Sequence, residues 1–243
     1  MDNYFYNIAS SILNEVYERG RPFVSNFLTL EEQEIIKLEA KKYPSLNVSF
    51  DGGIIGAEYK KAIISIYNKD ISNEISIIKI SFNPKYLTLS HRNILGTLIH
   101  LGIKRDRIGD IKIEDSCAYV AVSSNLVEFL ILNLTEIHHQ EVIVTEYFDK
   151  VELADTGIEK TIFVSSIRLD AVIAMAFNLS REESLAIIKR EMVKVNQKIT
   201  LKAFQNLNPC DIISVAHKGR IKIIDNNGTS RSGRIVMKIK IYR

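Results

Sequence analysis

Between residues 75 and 147 the apolar pattern alternates between a strand period and a helix period, and this alternation limits the possible folds more than any other feature. Ile75–Phe82 reads as a strand. Ser90 then caps a helix with Ile94, Leu95, Leu98 and Ile99 on one face, and Gly102 ends it. Ile111–Glu114 and Cys117–Val122 are two strands separated by a tight turn. Ser124 is expected to cap a second apolar helix running to about Leu134, and Glu141–Tyr147 is a last strand. The order β-α-β-β-α-β predicts a ferredoxin-like unit over residues 74–150, the arrangement that RRM domains share.

The flanks complete an α+β chain of three parts. Residues 1–73 predict a helical and hairpin unit. Tyr4, Ile8, Ile12 and Val16 fall at helical spacing, and Thr29 with Glu32 forms a capping box that starts a second helix ending before Pro44. A strand at Asn47–Phe50, an Asp51-Gly52-Gly53 turn and a strand around Ala62–Tyr67 follow. Residues 149–160 are polar and acidic and read as a linker. Residues 160–243 form the third part. In it a short strand at Ile162–Val164 precedes a helix from Arg168 to Asn178, capped by Ser166. Leu169, Val172, Ile173, Ala176 and Phe177 form that helix's buried stripe. Ser180 and Glu183 make a second capping box for a helix to about Glu191. Val193–Lys198 is a strand entering a turn, and Ile212–Val215 a further strand. Gly219–Asp225 and Arg234–Arg243 form a basic hairpin around Asn226-Asn227-Gly228.

Charge is unevenly shared along the 243 residues. Residues 160–243 carry a formal +10 and the remaining 159 residues −7, which leaves +3 for the chain. A basic block beside an acidic remainder points to a polyanionic partner. The two cysteines, Cys117 and Cys210, lie far apart and outside any CxxC or Cys/His cluster, so a disulfide framework or zinc site is not expected. No stretch reaches the roughly 18 apolar residues of a membrane span. Met1-Asp2-Asn3-Tyr4 lacks the basic start and apolar run of a signal peptide. A cytoplasmic protein is expected, with no membrane partner.

Within the basic block the cationic residues gather around one helical hairpin. Arg168 opens its first helix and Arg181 its second, Lys189 and Arg190 end the second, and Lys194 and Lys198 flank the turn holding Asn196. Helix N-termini with free N–H groups and neighbouring cations suit phosphate contacts. A single helix-end lysine is usually only solvated, so the clustering carries the reading. Leu169, Phe177 and Leu185 are read as core, and Asp170 as a partner of a nearby cation. On the hairpin strands, Arg220, Lys222, Arg234, Lys238 and Lys240 share faces with Tyr242, either as an extended RNA surface or as edge lysines that block aggregation. The middle unit has only Tyr119 where RRM domains place a pair of stacking aromatics, so it is read as a scaffold or as a protein- or ribosome-facing surface. Arg92, Lys104, Arg105 and Arg107 are secondary candidates there, balanced against a solvated loop.

The third part resembles the S4 (αL-type) RNA-binding domain. Arg168-Leu169-Asp170 matches its opening motif and Ser180-Arg181 the start of its second helix. Val193-Lys194-Val195-Asn196-Gln197-Lys198 is similar to V-x-V-N-G-K, and Pro209-Cys210-Asp211 to P-G-D, with Gln197 and Cys210 in place of glycines. The resemblance implies RNA contacts at Arg168, Ser180, Arg181, Lys189, Arg190, Lys194, Asn196 and Lys198, to which the hairpin-face reading adds Arg220 and Lys222.

A wider resemblance spans nearly the whole chain. Phe50-Asp51-Gly52-Gly53, Gly56-Ala57-Glu58, His91-Arg92, Leu95-Gly96, Leu101-Gly102-Ile103-Lys104-Arg105 and Ile108-Gly109-Asp110 look like a signature of the YlmH family of S4 proteins. Tyr59 departs from it, standing where that family tends to have Arg. The resemblance implies a bacterial factor on the large (50S) ribosomal subunit that binds rRNA or tRNA, a monomer acting in rescue of stalled translation. The family is also linked to the cell-division gene neighbourhood and, in plants and cyanobacteria, to photosystem II.

Catalysis is not expected, and neither is a cofactor or metal. The Asp51–Gly56 loop lacks the Gly-Lys-Ser/Thr of a P-loop and reads as a hairpin turn. Arg168-Leu169-Asp170 is similar to the catalytic motif of pseudouridine synthases, but the further domain such enzymes need does not follow it. His91, His100, His138, His139 and His217 show no metal-ligand spacing. The competing readings are an RNA-modifying enzyme with an unrecognised site in residues 1–150 and a cell-division scaffold.

Overall fold

The computed structural model describes residues 3–67, 71–86, 88–153, 155, 157–196, 198–226, 228–230 and 233–242. The chain divides into two compact units, Met1–Ala154 and Asp155–Arg243.

The first unit begins with α1 (Asn3–Arg19), which buries Ala9, Leu13 and Val16 at helical spacing. Strand β1 (Phe23–Leu28) leads to α2 (Leu30–Ala40), whose Thr29–Glu32 capping box is complete: each residue's side chain bonds the other's backbone N–H. β2 (Asn47–Asp51) and β3 (Lys60–Ser65) follow, and the three strands pair in the order β1-β3-β2. β1 was not expected from the sequence. A register break between Val24 and Phe27 disrupts its alternation, so the apolar run Phe23–Leu28 carries no clean strand period.

The sheet that follows has the expected element order. It comprises β4 (Ile75–Ser81), α3 (His91–His100), β5 (Ile108–Ile113), β6 (Cys117–Ser123), α4 (Val127–Asn133), a two-strand turn of β7 (Glu136–Ile137) and β8 (Gln140–Glu141), and β9 (Ile143–Tyr147). The four long strands lie in the order β5-β6-β4-β9, every neighbour antiparallel. Ser90 caps α3 in a capping box with Asn93. Ser124 does not cap α4: it opens a 3-10 turn, Ser124–Leu126, and accepts a hydrogen bond from Ser76 Oγ at 3.1 Å instead.

Every residue of β6 is buried, because its sheet is covered on both faces. Ile78, Ile80, Val120 and Val122 pack under α3 and α4 with Ile94, Leu98 and Leu130. On the other face Ile77, Tyr119 and Ala121 pack against Phe27, Ile54 and Ala57 of the N-terminal elements. The face that RRM domains present to nucleic acid is thus closed by this chain's own residues. Gly109 permits the contact: a Cβ there would lie 2.6 Å from Phe27 Cε1 and 3.0 Å from Ala121 Cβ. The Asp51–Gly56 loop belongs to the same junction. Gly52 leaves no room for a Cβ beside Ala57 and the Tyr59 carbonyl, and Ile55 bonds the backbone of Val151 and Leu153. Among the described residues no helix is long and apolar enough to cross a membrane.

The second unit begins with β10 (Ile158–Val164), which starts inside the stretch read as a linker and pairs along its whole length with the C-terminal strand. α5 (Leu169–Phe177), α6 (Arg181–Lys189), β11 (Val193–Val195), β12 (Lys198–Ile199), β13 (Ile212–Val215), β14 (Gly219–Asp225) and β15 (Ile235–Tyr242) complete it. Its six strands run β10-β15-β14-β13-β11-β12, all antiparallel. Val172, Ile173 and Ile188 of the two helices share one core with Ile162, Val193, Ile213, Ile221, Ile223 and Ile239 of the sheet. Ser166 does not cap α5. Arg168 occupies the N-cap in an extended conformation, with no side-chain cap bond. Of the turn residues singled out in the sequence, Gln197 and Asn227 lie outside the described residues.

Candidate nucleic-acid interface

The helical hairpin rests on a clamp between distant segments. Leu169 N donates to the Gln205 carbonyl at 3.0 Å, Asp170 N to Ala203 at 3.1 Å, and Leu207 N to Ile167 at 3.0 Å. The first N–H groups of α5 are therefore spent on the loop preceding β13, and are not offered to a phosphate. At α6, Ser180 N donates to Glu183 Oε2 at 2.7 Å and Glu183 N to Ser180 Oγ at 3.1 Å. These bonds, the backbone one foremost, lower the Glu183 pKa. A carboxylate thus sits at the positive end of α6. The expectation that helix N-termini present free N–H groups to phosphates is corrected at α5, and at α6 the Glu183 carboxylate stands beside the N-terminus. Cationic side chains are left to carry the interface.

Arg168 is held on two sides. Its Nε and Nη2 donate to Asp170 Oδ1 and Oδ2 at 3.0 and 2.7 Å, and its Cζ lies 4.1 Å from the Phe204 ring centroid. The carboxylate bond raises the arginine pKa further. Asp170 is buried, and Ser184 Oγ donates to its carbonyl at 2.8 Å, tying α6 to α5. Arg181 is exposed and its Nη2 donates to Ser165 Oγ at 2.9 Å. Lys189 and Arg190 are exposed at the end of α6.

The other predicted residues stand on the sheet. Asn196, with φ of 48°, turns the chain after β11. Its Oδ1 accepts from Ile212 N at 2.9 Å and its Nδ2 donates to Asp211 Oδ1 at 2.8 Å. The V-K-V-N and P-C-D fragments meet here, and Asn196 is engaged in joining them. Cys210 takes φ of 72°, a left-handed conformation natural to the glycine it replaces. Lys194, Ser214 and Arg220 form one cross-strand row, and Lys222 stands two residues along β14. These side chains project from the face opposite α5 and α6. Lys198 is exposed on β12. Lys240 shares this solvent face with Lys222 but is bound by Asp155 and, at 3.8 Å, by Glu159, and the Asp155 bond raises its pKa. The structure therefore divides the predicted residues. Arg168, Ser180, Arg181, Lys189 and Arg190 lie on the helical layer, and Lys194, Arg220 and Lys222 on the sheet's outer face.

In the first unit Arg92 and Lys104 are exposed. Arg105 bonds the Ile108 carbonyl and lies with its Cζ 4.1 Å from the Tyr59 ring centroid. Arg107 donates to Ser123 Oγ at 3.0 Å and bonds Asn125. Asp106 accepts from Asn26 Nδ2 at 2.7 Å. This run is a 3-10 turn that buttresses the sheet, with Lys104 left outward. Sequence reasoning missed a groove where Arg92 and His100 of α3 face the turn between β7 and β8. His138 and His139 both take positive φ there, 51° and 61°, and Asn93 Nδ2 lies 2.7 Å from His138 Nε2.

Residues 69–150 match the family model described as "Putative RNA-binding domain in YlmH". The match falls on the middle residues, which the sequence pattern leaves as a scaffold or a protein- or ribosome-facing surface. It includes Arg92, Lys104, Arg105 and Arg107. The chain is 28% identical over 228 residues to "Ribosome-associated protein quality control protein P2" of Bacillus subtilis (strain 168), covering 90% of this chain and 87% of that protein. The solved structure of "Cell division protein ylmH from Streptococcus pneumoniae" is similar at 26% identity with a TM-score of 0.52, covering 60% of this chain and 91% of that one. The comparisons converge: the chain is similar to YlmH proteins in its middle residues, along most of its length and in its fold.

Proposed function

We propose that this chain is a non-catalytic RNA-binding factor of the ribosome, engaging rRNA or tRNA on the large subunit during rescue of stalled translation. The observation that carries the reading is the basic C-terminal block, +10 over residues 160–243, displayed on a helical hairpin and a sheet face. An S4-type unit at residues 160–243 is the anchor, with Arg168, Arg181, Lys189, Arg190, Lys194 and Lys198 as its cations and Arg220 and Lys222 extending it. Ser180 and Asn196 serve this site by holding its turns. A ferredoxin-like domain at residues 74–150 adds Arg92 and Lys104 as secondary contacts. The β5-β6-β4-β9 order supports that assignment, as does the RNA-binding description of the matching family. The name of the Bacillus relative supports the ribosomal setting. The protein acts in the cytoplasm as a monomer.

Sedimentation of tagged protein through a sucrose gradient of cell lysate tests this. Wild type travels with large subunits, and the Arg181→Glu, Lys194→Glu double variant stays at the top. Wild type at the top even in low salt contradicts the reading. A second reading, a cell-division scaffold, draws on the name of the pneumococcal structure. Association with cell-division proteins that survives RNase favours it.

A further inference from the structure

Phe204 stands out in the second unit as an aromatic ring that the fold holds firmly yet does not bury. It is 65% exposed. The loop that carries it is pinned on both sides: Ala203 and Gln205 accept the N–H groups of Asp170 and Leu169, and Thr200 Oγ1 donates to Gln205 Oε1 at 3.0 Å. One face of the ring is covered by the Arg168 guanidinium at 4.1 Å, itself fixed by the buried Asp170. A lone surface phenylalanine is ordinary. A ring held against a fixed cation and still largely exposed is a preformed stacking platform.

We propose that Phe204 stacks an unpaired RNA base, in a three-layer arrangement of guanidinium, ring and base. The proposal rests on the RNA-binding reading above and names the position within that site that reads single-stranded nucleotides. A base inside a duplex has neighbours on both faces and offers the ring no partner. Only an unpaired nucleotide, in a loop, bulge or single-stranded overhang, can be splayed onto the ring. The unit's cations hold phosphates of either form, so Phe204 makes the unit prefer hairpin loops over plain duplex.

The chain contains no tryptophan, so Phe204→Trp introduces a single indole. The full-length variant is titrated with a dye-labelled RNA stem-loop and with a blunt duplex of equal phosphate number. Dye anisotropy reports binding and indole emission reports stacking. The stem-loop is expected to bind and quench the indole, while the duplex binds without quenching. Phe204→Ala loses about tenfold in stem-loop affinity with an unchanged salt dependence, and Phe204→Tyr keeps the affinity. Exposure of the ring makes these variants fold as wild type does, which circular dichroism checks. Stem-loop binding with unchanged emission, together with wild-type affinity of Phe204→Ala, overturns the proposal and leaves the RNA-binding reading standing. Absence of binding to either RNA by the wild type overturns both.

Discussion

Arg168 and Asp170 are joined through both guanidinium donors and both carboxylate oxygens, at 3.0 and 2.7 Å, across the first turn of α5. Asp170 is almost wholly buried, so the pair fixes a cation at the surface from a carboxylate in the interior. Asp170→Asn keeps the volume but removes the charge and one acceptor. The expected outcome is a lower Tm and weaker RNA binding, because Arg168 is no longer held over Phe204. Thermal unfolding and RNA titration of the variant check this. Wild-type values in both would show that the pair has no positioning role.

Lys61 supplies a pH-dependent prediction. It is 2% exposed, its Nζ donates to the Glu74 carbonyl at 2.9 Å, and it lies 5.5 Å from the Phe27 ring centroid. Burial lowers its pKa from the ordinary 10.5. Below the folded pKa both states are protonated and the desolvation cost is present in full. Between the folded pKa and 10.5 the unfolded state binds more protons, so stability rises with pH. Lys61→Met is expected to melt higher than wild type at neutral pH, with the gap narrowing as pH approaches 10.5. Melting curves across that range test it, and a constant gap contradicts it.

Cys210 holds a left-handed backbone with φ of 72° and is exposed. The left-handed region costs a non-glycine residue about 1–2 kcal/mol, against the roughly 0.4–1 kcal/mol that glycine adds to unfolded-chain entropy. Cys210→Gly is therefore expected to stabilise the second unit by about 0.5–1 kcal/mol. Denaturant unfolding measures it, and a loss of stability would show that no strain is stored there.

At Gly109 the prediction has the opposite sign. The added methyl of Gly109→Ala meets Phe27 Cε1 at 2.6 Å, with Ala121 Cβ behind it at 3.0 Å, in a core where neither can withdraw freely. Overpacking of this kind costs about 1–3 kcal/mol. Unfolding of the variant tests whether this contact between the N-terminal elements and the middle sheet is as tight as the structure places it.

Local features of the fold were legible in the sequence. The Thr29–Glu32 and Ser180–Glu183 capping boxes and the β-α-β-β-α-β order rest on short-range spacing, which a single sequence displays. β1 and the full length of β10 were not, because their partners, β3 and β15, lie far along the chain. In the candidate site, residue types were visible but their engagements were not. Asn196 finds Asp211 and Ile212 only through folding, and the first N–H groups of α5 are spent on Gln205 and Ala203. Phe204 went unnoticed because it sits in a loop without periodicity, and its meaning depends on Arg168, 36 residues earlier.

The central claim, that the basic C-terminal unit binds RNA, is tested most directly by titrating a labelled RNA stem-loop with purified full-length protein at two salt concentrations. Six phosphate contacts, one for each cation of the proposed anchor, predict an affinity loss of about 300-fold between 50 and 200 mM salt, since each neutralised phosphate releases counterions. The Arg181→Glu, Lys194→Glu variant, folded as judged by its circular dichroism, is expected to show no measurable binding. Wild-type affinity and salt dependence in that folded variant would contradict the assignment of the site.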